Sequence, residues 1–462
     1  MISAIALDLG STSIKAGLLQ DDGSLSGIVS LAVPAVFSNQ GRYESDALAY
    51  ADIADQALAS CLSHTTALPV LGLCSQRSSF LIWEKASGKP LTPLISWQDN
   101  RGAQSCVALQ SHEALITTLT GLRLTPYFFA PKLRVVLQEN PHWRARLMSA
   151  ELLVGTLDTF LIWRWTGGQR YVTDASMAAR TLLMDIHTQQ WSPKLCDLFD
   201  IPLEILPEIK SSSALNIRLN NGLTLQTSLG DQSSALLASV SDAQDVALVN
   251  LGTGGFVIRF VADHDSYPNG YLHTLVYQDQ ALRTHMAVEG TLNSIASALA
   301  PYPVAACKIE SMAAHKDIYC LAEPSGLGAP YFRNDLRLQF SQSVEHLSQA
   351  EIACLLLESI IFRVARILEE FHHAAAIKRI YLSGGLSELH SLQQGLALCV
   401  PCELFKLTQK EASIQGAAML AAGLRQAQQD EAEKIQITGN NMALVQKYAR
   451  WKRWLDALLL TH

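Results

Sequence analysis

Residues 3–19 read SAIALDLGSTSIKAGLL, a stretch with two apolar segments on either side of a short polar one. Apolar side chains alternate up to Asp8 and again from Ile14, which predicts two short strands joined by a small polar turn. Such a turn is either purely structural or a phosphate-binding site. In the second case the phosphate donors are Gly10, Ser11, Thr12, Ser13 and Lys15. Asp8 would then hold a hydrated Mg²⁺ ion.

A similar pattern returns about half a chain later, where residues 245–258 read DVALVNLGTGGFVI. An apolar strand again ends in a short polar side chain, so that Asn250 corresponds to Asp8. Leu-Gly and a hydroxyl residue follow in both copies, which predicts a duplicated domain. Two such turns facing each other across a cleft would hold both sides of a polyphosphate. The second turn would contribute Gly252, Thr253 and Gly254.

The composition excludes several classes of protein. With 462 residues, 49% hydrophobic and 17% charged, the chain is globular and long enough for two domains. A net charge of −7 without a Lys/Arg run argues against nucleic acid or an anionic membrane as a partner. The first residues lack a basic segment followed by a cleavable apolar one, and no apolar run has transmembrane length. We therefore expect a cytoplasmic protein.

The cysteines and histidines do not predict a metal site. Nine scattered cysteines in a chain without a secretion signal indicate reduced, mostly buried thiols. Cys399 and Cys402 have a Cys-x-x-Cys spacing, but they lack the second pair of a zinc site and the context of a thioredoxin-like unit. His372 and His373 would point to different sides of a helix, which favours a solvated helix face.

Three segments of the first half place polar or aromatic groups where α/β proteins keep substrate contacts. Arg77 follows a predicted strand at residues 70–74. Residues 97–101 read WQDNR, and they leave two interpretations: an Asp99–Arg101 ion pair that fixes a loop, or a polyol site beside an aromatic wall. A proline-punctuated loop at residues 120–133 contains Tyr127, whose ring is either a loop anchor or part of that wall.

A fourth segment, residues 228–236, reads SLGDQSSAL. Asp231 stands at the predicted start of a helix, where the helix dipole favours an acid. Asp231 is therefore either a capping residue or a carboxylate aimed into a cleft.

Further elements follow from periodicity. Helices are predicted at residues 47–62, 133–138, 155–165, 287–299, 348–373 and 411–424, followed by an amphipathic helix with Leu444, Tyr448, Trp451, Leu455 and Leu458 on one stripe. Asp46 is the predicted N-cap of the first of these helices. A buried strand at residues 379–383 ends in Gly384 and Gly385, which serve either as turn glycines or as a surface for a flat ligand such as adenine.

Together these motifs resemble the FGGY carbohydrate kinases, a family of the actin and heat-shock ATPase superfamily, and among them the glycerol kinases most. The likeness runs from about residue 4 to residue 455 in family order, through residues 8–12, 76–77, 97–101, 120–133, 155–158, 230–232, 252–254, 325–330 and 384–385. It implies an α/β fold of two actin-like (ribonuclease H-like) ATPase domains with an interdomain cleft. The implied domains are residues 1–239, mainly binding a sugar or polyol, and residues 240–462, mainly binding ATP and ending in a C-terminal helix.

The resemblance also implies roles for single residues. Asp231 would be the general base, Asp8 would assist Mg²⁺, and the phosphates would contact Thr12, Lys15 and Thr253. The substrate would be lined by Arg77, Tyr127, Asp231, Gln232 and Phe256, with Trp97 and Asp99 as further candidates.

The sequence departs from the family pattern at two positions. Ser78 stands where glycerol kinases have a glutamate, which argues against glycerol itself as the substrate. Leu389 stands where many relatives have an adenine-contacting asparagine, which leaves the nucleotide preference open.

We therefore expect an ATP- and Mg²⁺-dependent kinase that phosphorylates a hydroxyl of a small polyol or ketose. Within the family the alternatives are glycerol kinase proper and a pentulose kinase similar to xylulokinase or ribulokinase. A different class, an actin-like switch ATPase with a protein partner, would not need Asp231-Gln232 or residues 97–101. A sugar-binding protein without turnover would not need Asp8, Asp231 and Thr253. A homodimer is left open.

Overall fold

The computed structural model describes residues 2–66, 68–240, 243–262, 269–408, 411–424, 432–438 and 441–461. The chain forms two compact units, neither of which is continuous in sequence. The first unit comprises residues 1–238, 273–286 and 411–427. The second comprises residues 239–272, 287–410 and 428–462.

The strands of the two units are β1 Ile2–Leu9, β2 Ser13–Gln20, β3 Leu25–Ala32, β4 Phe37–Asn39, β5 Arg42–Ser45, β6 Val70–Ser75, β7 Phe80–Glu84, β8 Leu94–Ile95, β9 Leu152–Thr156, β10 Val172–Asp174, β11 Met184–Asp185, β12 Gln190–Trp191, β13 Glu208–Lys210, β14 Ser213–Arg218, β15 Thr224–Gly230, β16 Val246–Leu251, β17 Gly255–Val261, β18 Leu272–Gln278, β19 Thr284–Leu292, β20 Cys320–Leu321, β21 Gln339–Phe340, β22 Arg379–Ser383, β23 Glu403–Leu407 and β24 Ala432–Lys434.

The α-helices are α1 Ala47–Leu62, α2 Ala103–Ala108, α3 Glu113–Thr120, α4 Phe129–Glu139, α5 Pro141–Met148, α6 Leu157–Trp165, α7 Ala175–Ala178, α8 Pro193–Leu198, α9 Asp231–Ser239, α10 Ile295–Leu299, α11 Gln349–Ala374, α12 His390–Cys399, α13 Ala412–Ala421 and α14 Met442–Leu460. None of them combines the length and the apolar character that crossing a membrane would need, as far as the described residues show.

The central sheet of the first unit has the strand order β14-β15-β6-β1-β2-β3. β1 and β2 form the predicted hairpin, in which Asp8 lies opposite Lys15. β6 runs parallel to β1, and β15 runs parallel to β6, so that Leu9, Ser75 and Gly230 lie side by side. Because the carboxyl ends of parallel strands meet at one edge of a sheet, the residues that follow these three strands are brought together there.

Both faces of this sheet are covered by helices of the first unit. Side chains of β1 alternate between the faces, since Ile5, Leu7 and Leu9 pack with α1 whereas Ala4 and Ala6 pack with α13. α1 has the predicted bounds, and its first turn is capped because Asp46 accepts hydrogen bonds from the backbone of Leu48 and Ala49.

α13 approaches the sheet very closely. A Cβ atom at Gly72 of β6 would lie 2.2 Å from the backbone oxygen of Ala417. A glycine at this position is therefore a packing requirement of the small-residue helix.

The second unit repeats the local plan of the first. Its sheet has the order β18-β19-β17-β16-β22-β23-β24. β16 and β17 form an antiparallel hairpin, and β22 lies parallel to β16 with Ser383 beside Asn250. This arrangement matches β1, β2 and β6, as the recurring sequence pattern predicts.

The long helices of the second unit also agree with the sequence. α11 begins after Ser348, which forms a capping box with Glu351. α14 buries the predicted apolar stripe at Leu444, Tyr448, Trp451 and Leu455, with Leu458 partly buried against the same core.

Three predicted helices need correction. Gly155 and Thr156 do not begin a helix but end β9, which pairs with β7 and is buried throughout. Residues 287–292 belong to β19, and α10 begins only at Ile295. Short, fully buried apolar runs cannot be assigned to strand or helix by periodicity. α4 begins at Phe129 rather than at residue 133, because a proline in the first turn, here Pro131, does not break a helix.

All nine cysteines are free thiols, and only Cys402 is not fully buried. Its Sγ atom donates to the backbone oxygen of Ile377 at 3.2 Å. His372 Nδ1 accepts a hydrogen bond from the backbone of Ile377 at 3.1 Å, so this histidine is used in the turn after α11. Within the described ranges no group of three or more His, Cys, Asp or Glu side chains is placed to hold a metal ion.

Candidate active site

Asp8 stands at the end of β1, and its carboxyl group has an unusual environment. The Oδ1 atom is buried and has no hydrogen-bond partner. Burial and the nearby negative charge of Asp231 raise the pKa of Asp8 to about 7, against the lowering effects of Cys74 and Lys15. A buried carboxylate oxygen without a partner, near a second carboxylate, is suited to a divalent cation. Asp8 therefore fits the predicted Mg²⁺-binding role.

Asp231 is the first residue of α9, as predicted. Its Oδ1 atom accepts a hydrogen bond from the backbone of Gln232 at 2.7 Å and lies 3.7 Å from Nε of Arg77. About a third of the Asp231 side chain, 32%, is exposed. Burial raises the pKa of its carboxyl group, while the charges of Arg77 and Arg180 oppose this rise. A partly accessible carboxylate with a raised pKa has the properties of a general base.

The structure brings Arg77, Asp231 and Gln232 together. Arg77 Nη2 donates to Oε1 of Gln232, while Nε of the same guanidinium lies near Oδ1 of Asp231. A Cβ atom at Gly230 would lie 2.7 Å from Cδ of Arg77, so the glycine makes room for the arginine. The backbone of Gly230 also donates to Oγ of Ser176 at 2.9 Å, which fixes the start of α9.

Trp97 and Tyr127 form an exposed aromatic pair in the same unit. Their ring centroids are 6.4 Å apart, and the residues are 37% and 49% exposed. Two tilted rings with this exposure can contact the C–H face of a sugar.

Asp99, in contrast, lies in the interior of its loop. It is 0% exposed. Oδ1 accepts from the backbone and Nε of Arg101, and Oδ2 accepts from the backbone of Tyr43 at 2.7 Å. Burial acts to raise the pKa of Asp99, but these donors outweigh it and the pKa lies below its usual value. This geometry favours the loop-fixing interpretation over direct contact with a substrate.

The turn between β1 and β2 is held from inside the protein. The backbone oxygen of Gly10 accepts hydrogen bonds from the hydroxyl of Tyr50 at 2.7 Å and from Nε2 of Gln76 at 3.2 Å. A Cβ atom at Gly10 would lie 2.6 Å from the backbone oxygen of Ser13, so only glycine closes this turn without strain. Within the turn Thr12 is exposed, whereas Ser11 and Ser13 are partly buried.

Lys15 has an acidic partner that the sequence did not predict. Its Nζ atom lies 2.7 Å from Oε2 and 3.0 Å from Oε1 of Glu411, the residue that precedes α13. No local signal could have identified this pair, because the two residues are 396 positions apart. Arg180, buried and near enough to Asp231 to influence its pKa, was also missed.

In the second unit, the predicted nucleotide residues gather at the corresponding edge of its sheet. A Cβ atom at Gly252 or at Gly385 would have no protein atom within 4 Å, so open space adjoins the backbone there. Gly384 has a φ of 86°, and a Cβ atom would lie 2.4 Å from the backbone oxygen of Leu251. Thr253 is exposed, and Gly254 approaches the backbone of Leu292. Such a glycine-lined edge can admit a flat or anionic ligand.

Two further residues of the second unit belong to the predicted site. Phe256 lies on β17 opposite Asn250 and is half-buried. Leu389 packs partly against the hydrophobic core of this unit.

Comparison with known proteins gives the class. Sequence models of the N-terminal and C-terminal domains of the FGGY family of carbohydrate kinases match residues 3–246 and 247–424. The chain belongs to this family. It is 32% identical to the apulose kinase of Pectobacterium atrosepticum, with 97% of this chain and 96% of that protein covered. It is also 32% identical to a glycerol kinase of Ectopseudomonas mendocina, with 90% and 89% covered.

Solved structures show the same fold. Plasmodium falciparum glycerol kinase with ADP matches with a TM-score of 0.87 at 22% identity, over 100% of this chain and 99% of that one. Ligand-bound xylulose kinase from Lactobacillus acidophilus matches with a TM-score of 0.81 at 18% identity, over 99% and 98%. The predictions of an α/β fold with two domains and of a carbohydrate kinase are confirmed.

Proposed function

We propose that this kinase transfers the terminal phosphoryl group of ATP, with Mg²⁺, to a hydroxyl of a ketose or of a polyol larger than glycerol. The observation that carries the proposal is the grouping of Arg77, Asp231 and Gln232 at the sheet edge where β1 ends, next to Asp8. A hydroxyl-binding cluster beside a carboxylate suited to a cation provides the parts that phosphoryl transfer needs.

The chain's own residues would act as follows. Asp231 accepts the proton of the substrate hydroxyl as the oxygen of that hydroxyl forms a bond to the γ-phosphorus. The bond from this phosphorus to the bridging oxygen breaks, and ADP leaves. Arg77 favours the ionised form of Asp231, since its charge opposes the rise in the pKa of that carboxyl group. Together with Gln232, Arg77 also orients the sugar.

Asp8 would hold the Mg²⁺ ion, because its buried Oδ1 atom lacks any partner in the protein. The ion supplies charge neutralisation on the phosphates. We also propose Thr12, Lys15 and Thr253 as phosphate contacts. Gly252, Gly254, Gly384 and Gly385 would let the nucleotide lie against the backbone of the second unit.

We assign the sugar mainly to residues 1–239 and ATP mainly to residues 240–462. Arg77, Asp231 and the aromatic pair support the first assignment, and the glycine-lined edge supports the second. We propose Phe256 as a contact of the sugar. We also propose a cytoplasmic location, where ATP is available, and leave a homodimer to be tested by sedimentation.

The side chain of Ser78 supports a substrate other than glycerol. Ser78 is 5% exposed, and its Oγ atom donates to the backbone oxygen of Arg180 at 3.0 Å, so it offers no charged acceptor to a substrate hydroxyl. Asp99 does not replace that acceptor, because its oxygens are already used within the loop. A relative named as an apulose kinase agrees with this proposal.

Glycerol kinase proper is the second candidate, and the relatives so named favour it. The deciding experiment measures ADP release with glycerol, pentuloses, hexuloses and longer polyols. We expect a ketose or longer polyol to have the highest kcat/KM, with glycerol lower by about 10⁴-fold, as sites built for hydroxyl groups discriminate when one pairing fails. Glycerol turning over best, with Ser78→Glu leaving the order unchanged, would contradict the proposal.

A further inference from the structure

Lys132 of α4 is a fully buried lysine with no acidic hydrogen-bond partner among the described contacts. It is 0% exposed. Its Nζ atom donates to the backbone oxygen of Ser78 at 2.9 Å and to that of Ser96 at 2.8 Å. Burial lowers the pKa of Lys132 to about 7, an effect that Asp99 partly offsets. Moving an amine from water into the protein interior costs free energy. The burial of Lys132 therefore indicates a specific role for its two hydrogen bonds.

The two carbonyl groups belong to the two loops of the proposed sugar site. Ser78 directly follows Arg77, and Ser96 directly precedes Trp97. Ser78 has a φ of 65°, in the left-handed region that a serine seldom adopts, so its conformation must be imposed by neighbours. The bond from Lys132 to its carbonyl oxygen and the bond from its Oγ atom to Arg180 both act on this residue.

The same loops are joined by a second set of buried contacts. Ser79 Oγ accepts from the backbone of Trp97 at 2.9 Å and donates to Oε1 of Gln76 at 3.0 Å. Nε2 of Gln76 donates to the backbone oxygen of Gly10, in the turn proposed to bind phosphate. A continuous hydrogen-bond network therefore runs from this turn through the arginine loop to the aromatic pair.

We infer that Lys132 is a positioning residue for sugar binding: it ties the loop of Arg77 to the loop of Trp97 and fixes the distance between the polar and aromatic sides of the sugar site. The expected change in KM for the sugar rests on the proposed function. The expected link between the two loops does not. An error of about 1 Å in such a site costs roughly 10²-fold in rate.

The test compares Lys132→Met with Arg134→Met on the same helix. Nε and Nη1 of Arg134 are buried but make no hydrogen bond, so the control removes a cation without removing a tie between loops. With the best substrate of the panel, Lys132→Met should raise KM for the sugar about tenfold or more and leave KM for ATP within about twofold. Arg134→Met should leave both values unchanged.

Hydrogen exchange supplies a readout that does not depend on activity. Peptides covering residues 76–82 and 94–99 should both exchange at least about tenfold faster in Lys132→Met than in wild type, since both loops lose their tie. If the methionine variant does not fold, Lys132→Gln takes its place, because the shorter glutamine side chain cannot keep both hydrogen bonds to the loops. Wild-type exchange in both segments, or equal rises in KM for sugar and ATP, would overturn the inference. A wild-type protein inactive on every sugar would refute only the proposed function.

Discussion

At the scale of single residues, Asp231 is subject to two opposing influences. The start of α9, Arg77 and Arg180 favour its ionised form, whereas burial favours the protonated form and prevails. The pKa of its carboxyl group is therefore raised, and the carboxylate accepts a proton more readily than an ordinary aspartate does. The raised pKa of Asp231 follows from its position in the fold and not only from its being an aspartate.

Asp231→Asn should therefore nearly abolish phosphoryl transfer while ATP binding persists. Removing a general base costs about 10²–10⁴-fold in rate. Steady-state kinetics and nucleotide binding by calorimetry measure the two properties. Asp200→Asn is the matched control, because it removes a carboxylate that is 61% exposed and pairs with Arg144. Retention of more than about a tenth of the wild-type kcat would remove Asp231 from the role of base.

Asp8 should make the metal-free protein less stable as the pH rises. Its pKa of about 7 in the folded state exceeds the usual value of 3.8, so the folded state binds more protons between about pH 4 and pH 7. The stabilisation from this proton is complete below pH 4 and is lost as the pH rises through 7, at no more than about 1.4 kcal/mol per pH unit.

The test is thermal unfolding of wild type and Asp8→Asn between pH 5 and pH 8, with chelator present. The Tm advantage of the variant should grow up to about pH 7 and then level off, because asparagine cannot titrate. Mg²⁺ should raise the Tm of wild type near pH 8 and have no effect on the variant. If the Tm of wild type and the Tm of Asp8→Asn changed in parallel across this pH range, the pKa of Asp8 would not be raised.

At the scale of elements, helix α13 and strand β6 pack with their backbones in contact. Gly72→Ala would place a Cβ atom 2.2 Å from the backbone oxygen of Ala417, and a backbone oxygen cannot change rotamer to avoid it. We expect a loss of about 1–3 kcal/mol in the free energy of unfolding, as is typical of overpacking. Urea unfolding measures this loss. The double variant with Ala417→Gly should not recover it, and recovery would mean that the contact involves the side chain instead.

The elements that the sequence predicted are those with local signals. α1 has a capping residue and a helical pattern, and the β1–β2 hairpin has alternation on both sides of a glycine turn. β9 and β19 were misassigned because their residues are buried by neighbouring strands, so that pairing, and not periodicity, determines their conformation. Local sequence contains no information about which strand will lie alongside.

The same limit applies to the site at the scale of the whole molecule. Arg77, Asp231 and Gln232 could be predicted because each belongs to a motif at the end of a strand. Glu411 could not, because its partner Lys15 is distant in the chain and only the fold brings them together. Lys132 lies within the proline-punctuated segment at residues 120–133, but its proposed role depends on the carbonyl groups of Ser78 and Ser96, which belong to other segments.

The Lys15–Glu411 pair gives a prediction at this scale. Glu411→Gln removes the negative charge beside Lys15 and leaves the lysine fully available to a phosphate. An ion pair of this exposure is worth about 0.2–1 kcal/mol, so KM for ATP should fall by roughly 1.5–5-fold. The control is Lys15→Met, which removes the cation itself and should raise KM for ATP. An unchanged KM in Glu411→Gln, with a lowered Tm, would make the pair purely structural.

The position of α13 in the chain also determines when the first unit can be completed during synthesis. The face of the sheet formed by Ala4, Ala6 and Cys74 is covered by residues 412–421, which are translated long after β15. At about 5–20 residues per second, the ribosome needs roughly 10–30 s to travel from residue 239 to residue 412. During that interval the nascent first unit carries an open apolar surface, so this unit completes its fold only after residues 412–421 have been translated.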